Sequence, residues 1–553
     1  MSDYYDLGNH HFAVTTSSPE AQLWFDRGLN WKHAFNHFEA VNCFQRAAEA
    51  DPDCSMAYWG IAYAGGPNYN LQWYQYSNPG LVSMVANCHA AARKALSLID
   101  GATPVERALI TAVQARYPQP EPIADCSVWN DDYANAMRTV YGEFGDDLDI
   151  AALCAEALMN RTPWKLWDLE RAAPAVGADT LEAMQILERA FENPASHVHP
   201  GVLHMYIHLM EMSPYPERAL RAGDWLRNLI PDAGHLKHMP THIDVLCGNY
   251  HDVVNSNTAA VEADNTFLNR EGRKSIYIGS LLHNLHFKAY GAMFLGQKDV
   301  ALQAADELAA NLPRELLEEN VPFNMADRAE QFVSVRLHVM IRFGMWQEII
   351  DTPLPEDQEL YCVTTAVTHY ARGVAFAASG RIGEAEKEQQ SFEAAVSRIP
   401  DSRHHGIANK STDVLGVARE MLAGELEYRK GNFDDAFAHL RRSIALYDGL
   451  AYTEPWAWMQ PVRHALGALL LEQGHLEEAE AVYRADLGLD GSLARAHQHP
   501  DNVWSLHGYH ECLMRSGKHH LCGIVSQKLS VAAARADVPI ESSCFCRVEV
   551  AAD

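Results

Sequence analysis

Residues 24–52 read WFDRGLNWKHAFNHFEAVNCFQRAAEADP, and this stretch decides the fold. Within it Trp24, Gly28, Ala40, Phe44, Ala47 and Pro52 occupy, in order, the large, glycine, small, aromatic, small and proline positions of a helical hairpin repeat about 34 residues long. Each has a packing reason. Gly28 and Ala40 let two antiparallel helices approach closely, Phe44 fills the space between them, and Pro52 starts the next turn.

Weaker copies follow. Gly248, Gly296, Gly344, Gly380, Gly431 and Gly474 would each sit in the turn between the two helices of a hairpin. A new amphipathic segment comes within a few residues of each, as in GQKDVALQAA and GNFDDAFAHL. The dominant period is helical, with no convincing alternating strand run. The chain therefore reads as all-α, a tetratricopeptide (TPR)-like α-solenoid of antiparallel hairpins forming a superhelix with a concave groove. A repeat array also explains how 553 residues avoid splitting into separate cores, because each repeat packs only on its neighbours. One continuous solenoid is expected over 1–535, with His-rich repeats over 197–290 and an irregular tail over 536–553.

The net charge of −28 repels phosphate backbones and argues against a nucleic-acid partner. Eleven cysteines, scattered without a CxxC pair, fit reduced thiols rather than a disulfide framework. Cys544 and Cys546 form a CxC, a weak metal signal that reads as two incidental thiols. The N-terminal MSDYYDLGNHHF lacks the basic and apolar regions of a secretory signal. No run of ~18 apolar residues is present, so no membrane span is expected and the protein reads as cytoplasmic.

The 28 histidines are unevenly spread. Segment 199–286 contains HPGVLHMYIHLME, GHLKHMPTHI and LLHNLHF. His204, His208 and Glu211 share one helical face, as do His235, His238 and His242, and as do His283 and His286. His204 to His238 and His208 to His242 are both 34 residues; His235 to His283 and His238 to His286 are both 48. Successive repeats thus place histidines at equivalent positions, the longer interval being one repeat with a loop inserted over EADNTFLNREGRKSIYIGS. All of them fall on the first helix of a hairpin, the face that lines the groove in this architecture.

Neutral imidazole is the commonest protein ligand for Zn, Cu, Fe and Ni. Two histidines one helical turn apart present two nitrogens to one ion, and a neighbouring helix completes the shell. The expected metal set is His204, His208, His238 and His242, with Glu211, His235, His283 and His286 as further ligands, orienting groups or acid–base catalysts. A metal-free lining that binds a polar or anionic ligand is the alternative for the same residues. Less specific features are RTPWKLW (161–167), read as core; WGIAYAGGPNYN (59–70), read as a capped turn whose Tyr69 could line a pocket; and Arg463, His464 and Glu454, outside candidates for ligand contact. No Walker loop, nucleophile elbow or dinucleotide fingerprint is present.

The strings DPDCSMAYWGIAYAGGPNYN, RTPWKLW, HPGVLHMYIHLME, HLKHMPTHI and HNLHF resemble a group of bacterial and fungal tetratricopeptide-repeat proteins related to animal tetratricopeptide repeat protein 38. The resemblance covers roughly 20–515, and its His motifs map onto His199, His204 and His208, then His238 and His242, then His283 and His286. Thr241 stands where that group usually has Ser. The resemblance implies the fold and groups the histidines; it names no reaction. The functional expectation is a metal-dependent enzyme acting on a small molecule in the groove, with Cu or Fe oxidation favoured slightly over Zn or Mn hydrolysis or lyase chemistry. The alternative is a scaffold that binds a peptide or partner protein.

Overall fold

The computed structural model describes residues 4–273, 277–319, 324–406 and 408–547. The chain is an all-α array of TPR-like antiparallel helical hairpins. Apart from an isolated bridge, the only β pairing among the described residues is two two-residue ladders, Trp167–Asp168 with Ala173–Pro174 and His404–His405 with Asn409–Lys410. No described helix is long and apolar enough to cross a membrane.

The first hairpin joins Pro19–His33 to His37–Ala50 and follows the repeat frame. A Cβ on Gly28 would lie 2.7 Å from the Phe44 ring, so glycine is what admits the aromatic wedge. Two compact units follow from the packing: unit 1, Met1–Ile243 with Ala259–Leu281, and unit 2, mainly Asp244–Thr258, Leu282–Glu319 and Asn324–Asp553. In unit 2 the hairpins Cys362–Ala378/Ile382–Val396, Ser411–Arg429/Phe433–Asp448, Val462–Glu472/Leu476–Asp486 and Val503–Arg515/His519–Ala533 succeed one another.

The hairpin turns share one geometry. Gly248, Gly296, Gly344, Gly380, Gly431, Gly474 and Gly517 all have left-handed backbones, with φ from 65° to 84°. Around each, two hydrogen bonds close the preceding helix in the same way; at Gly431 they run from Gly431 N to Tyr428 O and from Asn432 N to Glu427 O. This is the Schellman C-cap, whose left-handed residue is normally glycine because a Cβ there is strained. The first hairpin closes with the same two bonds, Phe35 N to Lys32 O and Asn36 N to Trp31 O, but its left-handed residue is Phe35, with φ 55°.

Two expectations need correcting. The 48-residue interval is not filled by a long loop: the helix Tyr250–Glu271 simply runs on for 22 residues, and Ile278–Leu295 starts soon after. The CxC is not a pair of free thiols, because Cys544 and Cys546 are joined as a disulfide, while the other nine cysteines are free. Of the tail, residues 548–553 lie outside the described residues, and 534–547 contain no helix. They are seated all the same: Ser543 Oγ donates to His464 O at 2.9 Å and Arg547 pairs with Glu511 at 2.7 Å.

Candidate metal centre

In unit 1 two segments bring the central histidines together. His199 caps the helix Pro200–Met210, its Nδ1 accepting from Val202 N–H at 3.2 Å, and this helix carries His204 and His208 with Glu211 just beyond its end. His235 and His238 lie on the short helix Gly234–His238, and His242 on Pro240–Leu246, with Met239 between them. His204, His208, Glu211 and His238 are 0% exposed, His242 1% and His235 7%. The sequence placed these side chains on the face that lines the groove; in the structure they are buried.

The cover comes from distant parts of the chain. The Phe35 ring stacks on His208 (centroids 5.6 Å, interplanar angle 14°) and on His235 (5.3 Å, 18°), and tilts against His204 at 4.4 Å. Tyr69, which is fully buried, lies 4.8 Å from His208, and Trp164 meets the same imidazole edge-on at 6.0 Å while donating Nε1–H to Tyr69 O at 3.0 Å. The turn around Tyr69 and the Pro-Trp of RTPWKLW, read from sequence as cap and core, are therefore walls of the cluster. Phe35 was not singled out by the sequence; its signal was a bulky residue at the turn position where seven other hairpins carry glycine.

Hydrogen bonds settle where protons sit. His204 Nδ1 lies 2.6 Å from the carbonyl oxygen of His33, which can only accept, so Nδ1 carries the proton. Burial, reinforced by neighbouring His208, holds the His204 pKa well below the usual imidazole value, so the ring is neutral and its Nε2 is a lone pair. Glu211 receives two imidazoles at once: His208 Nδ1 at 3.0 Å from Oε1 and His242 Nδ1 at 2.6 Å from Oε2. A carboxylate that takes the Nδ1 protons turns both Nε2 atoms into lone pairs, the carboxylate–histidine arrangement that orients metal-binding imidazoles.

The Nε2 atoms converge, with His235 and His238 donating to the lone pairs of His204 and His242. His235 Nε2 is 3.1 Å from His204 Nε2, and His238 Nε2 is 2.7 Å from His242 Nε2. Burial, with the neighbouring histidines adding to it, also holds His235 well below the ordinary value. The ligand atoms of His204, His208 and His235 all lie within 4.8 Å of one another, as do those of His208, Glu211 and His242. The structure thus joins His235, expected as a further ligand, orienting group or acid–base catalyst, to His204 and His208 as a three-imidazole set. The polar, nitrogen-only donor set suits a borderline transition metal rather than Mg or Ca, which want oxygen ligands.

His283 and His286, on Ile278–Leu295, belong to unit 2. Burial lowers His283 to about 4, partly offset by Glu454, and His286 falls well below its ordinary value through burial and the nearby His405, His283 and His338. His286 meets Phe332 edge-on at 5.2 Å. Arg463 is committed to Asp448 through two bonds of 2.7 and 2.6 Å, and His464 to Asp486 at 3.1 Å, so both serve packing networks of unit 2. Glu454 accepts from Tyr452 at 2.5 Å.

No protein-family model matches this chain, and no curated protein matches it. Solved structures of repeat proteins do. A chain of the Naa15/Naa10 complex bound to HypK-THB is 12% identical with a TM-score of 0.22, covering 93% of this chain and 70% of that one. A chain of the APC/C hetero-tetramer Cut9–Hcn1 is 11% identical with a TM-score of 0.28, covering 94% of each. The P58(IPK) TPR domain is 12% identical with a TM-score of 0.17, covering 76% of this chain and 99% of that one. The fold assignment rests on the hairpins and their shared turns.

Proposed function

We propose that this chain is a helical-repeat scaffold whose unit 1 is fastened by a buried transition-metal ion on His204, His208 and His235. The observation that carries the reading is proton placement: the His33 carbonyl holds the Nδ1 proton of His204 and Glu211 holds that of His208, which leaves Nε2 lone pairs facing inward. Cu, Fe and Zn are the ions that such imidazoles favour. Ligands buried to this degree and roofed by Phe35 describe a closed site, and closed sites are structural, whereas catalytic ones keep an open position. The helical array then does the ordinary work of this architecture, binding a peptide or partner protein. The His motifs support kinship with the group related to tetratricopeptide repeat protein 38, and nine free thiols beside a single disulfide suit a mainly reducing, cytoplasmic setting.

The redox or hydrolytic enzyme acting on a small molecule is the second reading. It is favoured by one feature, the left-handed Phe35 over the ligands, since backbone strain collects where a segment must move. Inductively coupled plasma mass spectrometry on the wild type and His208→Ala, with melting curves before and after chelation, tests the first reading. The expected result is near-stoichiometric metal that His208→Ala loses, a lower melting temperature after chelation, and a metal affinity weakened by about 10–100-fold in Glu211→Gln. Absence of metal after incubation with Zn2+, Cu+ and anaerobic Fe2+ in turn would refute it. Metal retained with no thermal stabilisation would instead favour the enzyme.

A further inference from the structure

A second histidine cluster lies in unit 1, built from four separate segments. Asp149 sits in the first turn of the helix Leu148–Met159, His33 ends the helix Pro19–His33, His10 comes from the segment before that helix, and His199 is the cap of Pro200–Met210. The Asp149 Oδ1 oxygen is 3.0 Å from His10 Nε2, 3.3 Å from His199 Nε2 and 3.8 Å from His33 Nε2. Asp149, His33 and His199 are buried, and His10 is half-buried.

The four are not equivalent. His199 Nδ1 accepts the Val202 N–H, so its one proton as a neutral ring is on Nε2, facing the carboxylate. It can donate towards Asp149 but has no lone pair to offer on that side. His33 differs: its Nε2 is buried, with the residue only 3% exposed, and makes no hydrogen bond. A buried imidazole nitrogen left without a partner costs on the order of 1–3 kcal/mol, and a ligand would remove that cost. Burial lowers His33 to about 3, so the ring is neutral. Burial would raise Asp149, but the imidazoles of His10, His199 and His33 gathered around it bring it well below the usual carboxylate range, so it is charged.

We propose that His10, His33 and Asp149 form a divalent-cation site of the two-histidine, one-carboxylate type, with His199 as the residue that positions the carboxylate. The three ligand atoms lie within 4.8 Å of one another. Two imidazoles and one carboxylate with further positions open are the donor set that holds Fe2+, and an oxygen ligand among them also admits Mn2+. The bond between His10 Nε2 and Asp149 marks where the cation would stand: its charge replaces the shared proton. His10 also lines a cavity of about 510 Å3 together with Asp26, Arg27 and Asn30, which gives a cation a way in. A bound cation would pin the segment before the first helix to two helices, Pro19–His33 and Leu148–Met159.

This site shares no side chain with the first. The main-chain carbonyl of His33 accepts from His204 Nδ1. The experiment uses the full-length His208→Ala/His242→Ala variant, with anaerobic Fe2+ and separately Mn2+ as probes. Metal is measured after desalting, and hydrogen–deuterium exchange is followed over residues 4–18. The expected result is about one equivalent bound, with slowed exchange in that segment; both are lost on adding His10→Ala, a change in a loop residue that leaves helix packing intact. Asp149→Asn should weaken binding at least tenfold. Failure of the His208→Ala/His242→Ala protein, folded by circular dichroism, to bind either cation would overturn the proposal. So would undiminished binding in the His10→Ala form. The wild type binding one equivalent more than this variant, or the same amount, reports separately on the first site.

Discussion

Phe35 is the most direct place to test the link between the turn and the cluster. Substituting it by Gly and by Ala removes the same aromatic ring but leaves different backbones. Alanine keeps a Cβ at φ 55°, where a left-handed L-residue costs about 1–2 kcal/mol; glycine does not. Glycine in turn gives the unfolded chain extra freedom, about 0.4–1 kcal/mol against it. The difference predicts Phe35→Gly more stable than Phe35→Ala by roughly 0.5–1 kcal/mol. Both should release metal faster than the wild type, because Phe35 stacks on His208 and His235. Gly431→Ala is the control: φ there is 84° and a Cβ would meet nothing within 4 Å, so its net cost is backbone strain less the freedom the unfolded chain loses, roughly 0.5–1 kcal/mol. Equilibrium urea unfolding gives the stabilities, and chelator-driven release of metal gives the off-rate. Phe35→Ala equal to or more stable than Phe35→Gly would refute the strain. Unchanged metal release in both would refute the cover.

Removing the Asp486 carboxylate with Asp486→Ala should cost about 3–5 kcal/mol in urea unfolding, because it strands four buried donors: His464 Nε2 at 3.1 Å, His499 Nδ1 at 2.8 Å, Asn502 Nδ2 at 3.1 Å and Ser505 Oγ at 2.6 Å. A loss below about 1 kcal/mol would show the network is not formed. His338 is held at about 4 by burial against an unfolded value of ~6.5. Its folded pKa is depressed, so below pH ~6.5 the unfolded chain takes up a proton that the folded chain refuses, and stability is lost as pH falls towards 4, by up to about 1.4 kcal/mol per pH unit. His338→Phe, which can keep the contact with Trp458, should flatten the stability slope between pH 6 and pH 5 by about that amount, and an unchanged slope would disprove the neutral ring.

How much of this could be read from the chain depends on whether the signal is local. The hairpins were legible because a left-handed turn demands glycine, and Gly248, Gly296, Gly344, Gly380, Gly431 and Gly474 announce it one after another. The pairing of His204 and His208 with Glu211, and of both with the His235–His242 segment, was legible because residues a turn apart share a face and a repeat recurs at a fixed interval. Burial was not legible. The residues that cover the cluster, Phe35, Tyr69 and Trp164, come from segments far from it in sequence, and no periodicity links them to position 208. The second cluster escaped for the same reason: His10, His33 and Asp149 each look like an ordinary loop residue, helix end and helix start, and only folding places them around one oxygen.

The two clusters share a physical character that bears on why the chain keeps them. Each places neutral imidazoles in the interior at a cost to the fold: His204, His235 and His33 resist protonation because they are buried, and His33 Nε2 has no hydrogen-bond partner at all. Phe35 adds backbone strain at the roof of the first. A structure selected for stability alone would replace such groups with packed apolar side chains, which are often more stable than buried polar assemblies. A ligand that binds only the folded chain changes the comparison. At a free concentration one hundred times its Kd, one ion contributes about 2.7 kcal/mol, on the scale of one unpartnered buried nitrogen or one left-handed aromatic residue. Bound metal is therefore large enough to offset what each cluster costs, and its removal should expose that cost first where the histidines and Phe35 meet.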